Sequence, residues 1–224
     1  MGLQQTFGCS AFLSDFCSME LIKKYFPELT PDAEKAYAAV FDLYKEWNEK
    51  INVISRKDIE NLYERHILHS LAIAKFIRFK PGSSIIDLGS GGGFPAIPLA
   101  IMFPDCHFIF VDATGKKVKV IKEISDALKL QNVNPVHGRG ESIKEKFDFV
   151  VSRAVADIST TYNWMSAKFK QKHINAYPNG FIFLKGGDVE AETRPFKDSV
   201  IVTQISDYFE EEWFCEKKIV YISL

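Results

Sequence analysis

The chain has 224 residues, 46% hydrophobic and 13% aromatic, with 28 basic and 29 acidic side chains and a net charge of -1. This is enough apolar material for a sizeable core, which excludes a disordered chain, and the charge excludes a globally basic nucleic-acid binder while leaving room for a local basic patch. The longest apolar run, Phe94 to Phe103, reaches about half of the roughly 20 residues that a membrane span requires and contains Pro95 and Pro98, so no membrane partner is expected.

In chain order, residues 1–18 lack charged periodicity and read as a disordered leader, without the positive segment of a secretory signal. Residues 19–80 read as a helical extension packed on a core formed by residues 81–224. Pro31 suits a first helical turn, and Ala36, Val40, Phe41, Leu43, Tyr44 and Trp47 then recur at helical spacing. A second helix is expected over Ile59 to Ile77, with Leu62, Ile67, Leu71, Ile73, Ala74 and Ile77 on its apolar face, stopped by Pro81 and Gly82.

Short β-rich runs follow at Ile85 to Leu88, Phe108 to Val111, Asn134 to His137, Phe147 to Ser152 and Phe181 to Leu184, alternating with helical stretches. That alternation predicts a parallel sheet covered by helices on both faces. Val200 to Ile205 and Lys218 to Ile222 read as two strands with no helix between them, so a hairpin is expected to place one antiparallel strand in the sheet. Cys9, Cys17, Cys106 and Cys215 show no CxxC spacing and read as free thiols of a cytoplasmic protein. His66 and His69 stand three apart on one helix but have no third ligand at suitable spacing, so no metal is expected.

The segment Ile85-Ile86-Asp87-Leu88-Gly89-Ser90-Gly91-Gly92-Gly93-Phe94-Pro95 passes from a buried strand through a glycine cluster into a helix. Glycines let a ligand approach the backbone, and the helix start offers unpaired N–H groups. The dinucleotide pattern GxGxxG fails when started at Gly89, because Phe94 takes its last position. Asp87, at the strand end, can accept a hydrogen bond from an ammonium group and would repel a pyrophosphate. Asp112 ends the next strand, where a carboxylate can bind ribose hydroxyls. A phosphate-free, ammonium-bearing nucleoside fits both acids, and S-adenosylmethionine is such a cofactor. A nicotinamide-dependent oxidoreductase shares the strand, loop and distal acid; Asp87 and the terminal hairpin argue against it.

The spacing of Asp87, Gly89, Gly91 and Gly93 resembles motif I of the class I methyltransferases, and Ile85 to Leu99 is similar to the signature of the ribosomal RNA small-subunit methyltransferase G family, also called glucose-inhibited division protein B. Family-like blocks recur in family order at Trp47 to Ser55, His66 to Leu71, Gly138 to Glu141, Phe147 to Ala154 and Leu184 to Gly186. The resemblance implies a class I, Rossmann-like α/β fold: a mostly parallel seven-stranded sheet with one antiparallel strand, carrying an N-terminal helical extension. It implies methyl transfer from S-adenosylmethionine to N7 of a guanosine in 16S rRNA, with the small ribosomal subunit or its RNA as partner and a monomeric enzyme. By motif, Gly89 and Phe94 lie against the cofactor, Gly140 and Glu141 at its adenine, Asp112 at its ribose, and Arg153 at the methionyl or substrate end. His69 stands where the family frequently has aspartate. A methyltransferase acting on a small molecule and a noncatalytic rRNA-binding protein are the alternative readings.

Arg153 ends the fourth strand and is the residue expected to orient substrate or cofactor, without a general base. Phosphate contacts are expected from Arg56, Lys57, Arg65 and His66 in the extension, from Lys116, Lys117, Lys119 and Lys122 on the helix after the second strand, and from Lys144, Lys146 and Lys185 around the crevice.

Overall fold

The computed structural model describes residues 19–153 and 156–224; the expected leader, with Cys9 and Cys17, lies outside them, as does Ala154. Helix α1 covers residues 19–25. Helix α2 is Pro31–Lys50, capped by Thr30, whose side chain accepts from Ala33 N, and favoured further by Asp32 and Glu34 in its first turn and Lys50 in its last. Its buried seam is Ala33, Tyr37, Val40, Tyr44 and Asn48. Of the predicted face, Val40 and Tyr44 lie in this seam, whereas Ala36, Phe41, Leu43 and Trp47 flank it half-buried; Ala33, Tyr37 and, at the C-terminal end, the polar Asn48 complete it. Asn48 Oδ1 accepts from both Val53 N and Ile54 N at 2.9 Å, which satisfies the chain as it leaves the helix.

The second predicted helix is not uniform. A 3₁₀ turn, Ile59–Asn61, leads into a π-helical stretch, Leu62–Leu68, and only then into α3, His69–Phe76. A widened π turn rotates the side chains that follow it, and such turns are frequent at functional sites. Here it carries Arg65 and His66.

Seven strands form one sheet in the order β3-β2-β1-β4-β5-β7-β6. They are β1 Ser84–Leu88, β2 His107–Asp112, β3 Val133–His137, β4 Phe149–Arg153, β5 Gly180–Gly186, β6 Val200–Gln204 and β7 Lys217–Ser223. Strands β1 to β5 pair in parallel, and β7 runs antiparallel between β5 and β6. The hairpin prediction holds, as does the single reversed strand. The fourth strand starts at Phe149 rather than Phe147, because Phe147 bridges to Phe169 while the buried Asp148 carboxylate accepts from Ser84 N at 2.7 Å and pairs with Lys170.

Alternate strand residues fill two cores. Ile85, Phe108, Phe110, Phe149, Val151, Ile182 and Tyr221 pack against the N-terminal helices, α4 (Ala96–Met102) and α5 (Gly115–Ala127). Ile86, Leu88, Val111, Val150, Phe181 and Phe183 face the opposite way, toward α6 (Ile158–Met165). The extension shares the first core: Tyr37 donates to Pro98 O of α4 at 2.8 Å with its ring fully buried. No helix among the described residues is long and apolar enough to cross a membrane.

Candidate functional site

The carboxyl ends of β1, β2 and β4 meet where the strand order reverses, the position at which open α/β sheets bind ligands. After β1 the chain turns through Gly89, Gly91 and Gly93, all at positive φ, of +67°, +56° and +96°. Only glycine adopts these angles without strain. The turn is fixed from several sides. Gly89 N and Ser90 N both donate to Val111 O, at 2.8 and 3.1 Å. Tyr44 of α2 donates to Gly92 O at 2.6 Å, and Ser152 of β4 donates to Leu88 O at 3.0 Å.

On one side of this turn a cavity of about 230 Å³ is lined by Leu88, Gly89, Asp112, Gly140, Glu141 and Trp164, among others. Asp112 accepts from Gly91 N at 2.9 Å with one oxygen and from Thr114 N at 2.7 Å with the other. Each carboxylate oxygen can accept twice, so both retain capacity toward a diol in the cavity. A Cβ at Gly140 would overlap Leu88 Cδ1 and displace the end of that side chain in the cavity wall. Gly89, Asp112, Gly140 and Glu141, predicted separately from sequence, thus line one cavity. Trp164, 36% exposed on α6, was not foreseen; a lone tryptophan in a short helix carries no local signal.

The remaining predicted residues lie beneath and beyond the turn. Asp87 is fully buried, with one oxygen accepting from Ala96 N at 3.2 Å and the other without a hydrogen-bond partner in the described structure. Burial pushes its carboxyl up to about 7, against the Ala96 N–H and the Arg153 charge, which favour the anion. Asp87 thus lies beneath the turn, where one carboxylate oxygen anchors the start of α4 and the other has no hydrogen-bond partner among the described residues.

Phe94, also buried, stacks on Tyr44 at 4.8 Å between centroids and lies against His66 at 5.1 Å. The Arg153 guanidinium sits over the same ring at 5.1 Å. Arg153 donates to His66 Nδ1 at 3.0 Å and to the Arg65 carbonyl at 3.3 Å. His66 Nε2 meets Asp58 Oδ2 at 2.9 Å, and Arg65 donates to Asp58 Oδ1 at 2.8 Å. Burial, then the Arg153 charge, lowers His66 to about 4, so its ring is neutral at neutral pH. Burial also lowers Arg153, to about 10, opposed by Asp87, Tyr44 and Asp58, and it stays charged.

Three residues predicted as phosphate contacts have partners within the protein. His66 is consumed by Asp58 and Arg153, and Arg65 is paired with Asp58. Lys185, with its side chain 14% exposed, is paired with Glu192 at 2.8 Å. Arg56 and Lys57 are exposed, Arg56 beside Lys45 in an open groove; Lys116 and Lys119 are exposed on α5, Lys117 is half-buried, and Lys122 pairs with Asp126. His69 is buried edge-on to Trp213 at 5.0 Å, and no cluster of three metal-ligating side chains occurs among the described residues.

Comparison with known proteins agrees with this layout. The chain is 55% identical over 203 residues to the ribosomal RNA small subunit methyltransferase G of Bacteroides thetaiotaomicron, covering 91% of this chain and 98% of that protein. It is 47% identical over 204 residues to the protein of the same name from Cytophaga hutchinsonii, covering 91% and 99%. Among solved structures, precorrin-6y C5,15-methyltransferase from Geobacter metallireducens superposes with a TM-score of 0.53 at 11% identity, over 77% of this chain and 90% of that one. Coclaurine N-methyltransferase gives 0.51 at 14% identity, over 79% and 58%. Both share the fold. The model of the rRNA small subunit methyltransferase G family matches residues 34–218, and the chain belongs to that family, which sets aside the oxidoreductase reading.

Proposed function

We propose that the protein transfers the methyl group of S-adenosylmethionine to N7 of a guanosine in 16S rRNA. The observation that carries the reading is the cavity at the carboxyl ends of β1 and β2, where Gly89, Asp112, Gly140 and Glu141 come together beside the glycine turn. Its residues fit the cofactor: Asp112 has spare acceptor capacity for a ribose diol, Gly140 lets Leu88 pack into the cavity wall, and the buried Asp87 keeps one carboxylate oxygen for an ammonium group. When bound, S-adenosylmethionine supplies an electrophilic sulfonium methyl.

The acceptor chemistry suits what surrounds Arg153. Guanine N7 has an in-plane lone pair that is unprotonated at neutral pH, so its attack requires no proton removal. The titratable neighbours of Arg153 are already engaged: His66 is bonded to Asp58 and Arg153, and Asp87 supports α4. The work left for the protein is alignment, which can supply on the order of 7 to 11 kcal/mol of barrier reduction. Tyr44 holds the turn, Phe94 shapes the wall, and Arg153 presents charge-assisted donors to the cofactor carboxylate or to the acceptor. RNA approaches over the exposed Arg56, Lys57, Lys116 and Lys119, whose charges meet phosphates.

The test is mass spectrometry of 16S rRNA from a strain lacking the gene. Loss of one 7-methylguanosine, restored by the gene in trans, is the expected result, and an unchanged 7-methylguanosine content refutes the acceptor assignment.

A further inference from the structure

We propose that His66 and Asp58 are positioning residues for methyl transfer, fixing the Arg153 guanidinium from the N-terminal extension. The inference rests on the transfer reading above and extends it to residues in the helical extension, outside the glycine turn.

Three observations carry it. First, the contacts form a continuous chain, Asp58 Oδ2 to His66 Nε2 at 2.9 Å and His66 Nδ1 to Arg153 at 3.0 Å. Second, the partners define the tautomer. A guanidinium only donates, so Nδ1 must accept, and the ring proton resides on Nε2, facing the carboxylate. Third, both ends are secured. Arg65 holds the other oxygen of Asp58 at 2.8 Å, and its own carbonyl accepts from Arg153 at 3.3 Å. The π-helical stretch Leu62–Leu68 presents the His66 side chain and the Arg65 carbonyl together to Arg153.

An arginine has a long side chain that loses about 2 kcal/mol of rotamer entropy when fixed. Here two acceptors and the face of Phe94, 5.1 Å away, hold it in advance, with further N–H groups of its five left to donate. Since the transfer depends on alignment, a guanidinium free to swing loses rate more than affinity. The burial that keeps His66 neutral, at about 4, preserves this acceptor through the physiological range.

Substitution separates an acceptor role from simple packing. His66→Asn retains an acceptor near the Nδ1 position, His66→Gln places its amide nearer Nε2, and His66→Leu supplies no polar atom. The expected result is kcat within about threefold of wild type for His66→Asn and at least tenfold lower for His66→Gln and His66→Leu, with KM for rRNA nearly constant. In an Arg153→Ala background, His66→Leu should add almost nothing, because it acts through the missing group. Independently of turnover, nitrogen NMR of labelled histidine should show His66 as the Nε2–H tautomer from about pH 6 to 8. Equal losses in all three variants, additivity with Arg153→Ala, or an Nδ1–H tautomer in wild type would overturn the proposal. Should His66→Leu fail to fold, the Asn and Gln pair decides. A wild-type protein that shows the tautomer but leaves rRNA unmethylated would instead defeat the acceptor assignment.

Discussion

Tyr44 of helix α2 donates its hydroxyl to the Gly92 carbonyl at 2.6 Å while its ring stacks on Phe94 at 4.8 Å, so the extension closes directly on the glycine turn. Tyr44→Phe should keep the stack and lose the bond, leaving a buried carbonyl without this donor. A loss of about 1 to 3 kcal/mol in urea unfolding is expected, together with weaker S-adenosylmethionine binding. Unchanged binding would show that the turn holds its shape without the extension.

Gly91 has φ of +56° and donates its N–H to Asp112. A β-branched residue there must adopt strained backbone at a cost of order 1 to 3 kcal/mol, or pull the N–H from the carboxylate. Gly91→Val should abolish cofactor binding in calorimetry, and retained affinity would count heavily against the cavity as the cofactor site.

Arg153→Ala should lower methylation of ribosomal substrate at least tenfold. Arg153→Lys should rescue little, because an ammonium cannot reproduce a planar fork spanning His66 and the Arg65 carbonyl over Phe94. Full turnover of either variant at saturating substrates refutes a role at the reacting centre.

Asp87 has a predictable pH signature. Its folded carboxyl, raised by burial from 3.8 to about 7, binds more protons than the unfolded one between those values. The stability it contributes is complete below the unfolded pKa and is lost as pH rises through about 7. His66 acts oppositely: its value is lowered from 6.5 to about 4, so its contribution is present above the unfolded pKa and is lost as pH falls through about 4. Wild type alone would blur the two. The melting temperature of Asp87→Asn minus that of wild type should therefore be more positive near pH 8 than near pH 5. A cationic ammonium favours the carboxylate, so S-adenosylmethionine binding near pH 7 should release a fraction of a proton, read from calorimetry in buffers of different ionisation enthalpy. A difference in melting temperature that does not vary with pH would show that Asp87 keeps an ordinary carboxylate pKa.

Replacing the exposed Lys116 and Lys119 with glutamate should weaken rRNA binding and flatten its salt dependence. Lys185→Ala should instead leave the salt dependence intact and disturb the Glu192 contact. The opposite pattern would place the RNA on the β5 side of the crevice.

The sequence by itself determined the sheet and brought out the residues that line the cavity beside the glycine turn, because both rest on local rules. Strand alternation, turn glycines and an acid at a strand end are short-range patterns, and they located all seven strands to within two residues at either end. The closing hairpin was equally legible, since Val200 to Ile205 and Lys218 to Ile222 have no α-helix between them, only two single 3₁₀ turns. Only the tertiary structure decided what the predicted polar residues do. Asp87 and Arg153 are 66 positions apart in sequence and His66 lies outside the sheet, yet His66 and Arg153 meet at Phe94 and the Arg153 charge reaches Asp87. His66, Arg65 and Lys185, read from sequence as phosphate contacts, each have a partner within the protein instead of solvent alone. A charge in a sequence is the same whether solvent or a carboxylate faces it; which one does depends on packing between distant segments, and that packing made the extension part of the site.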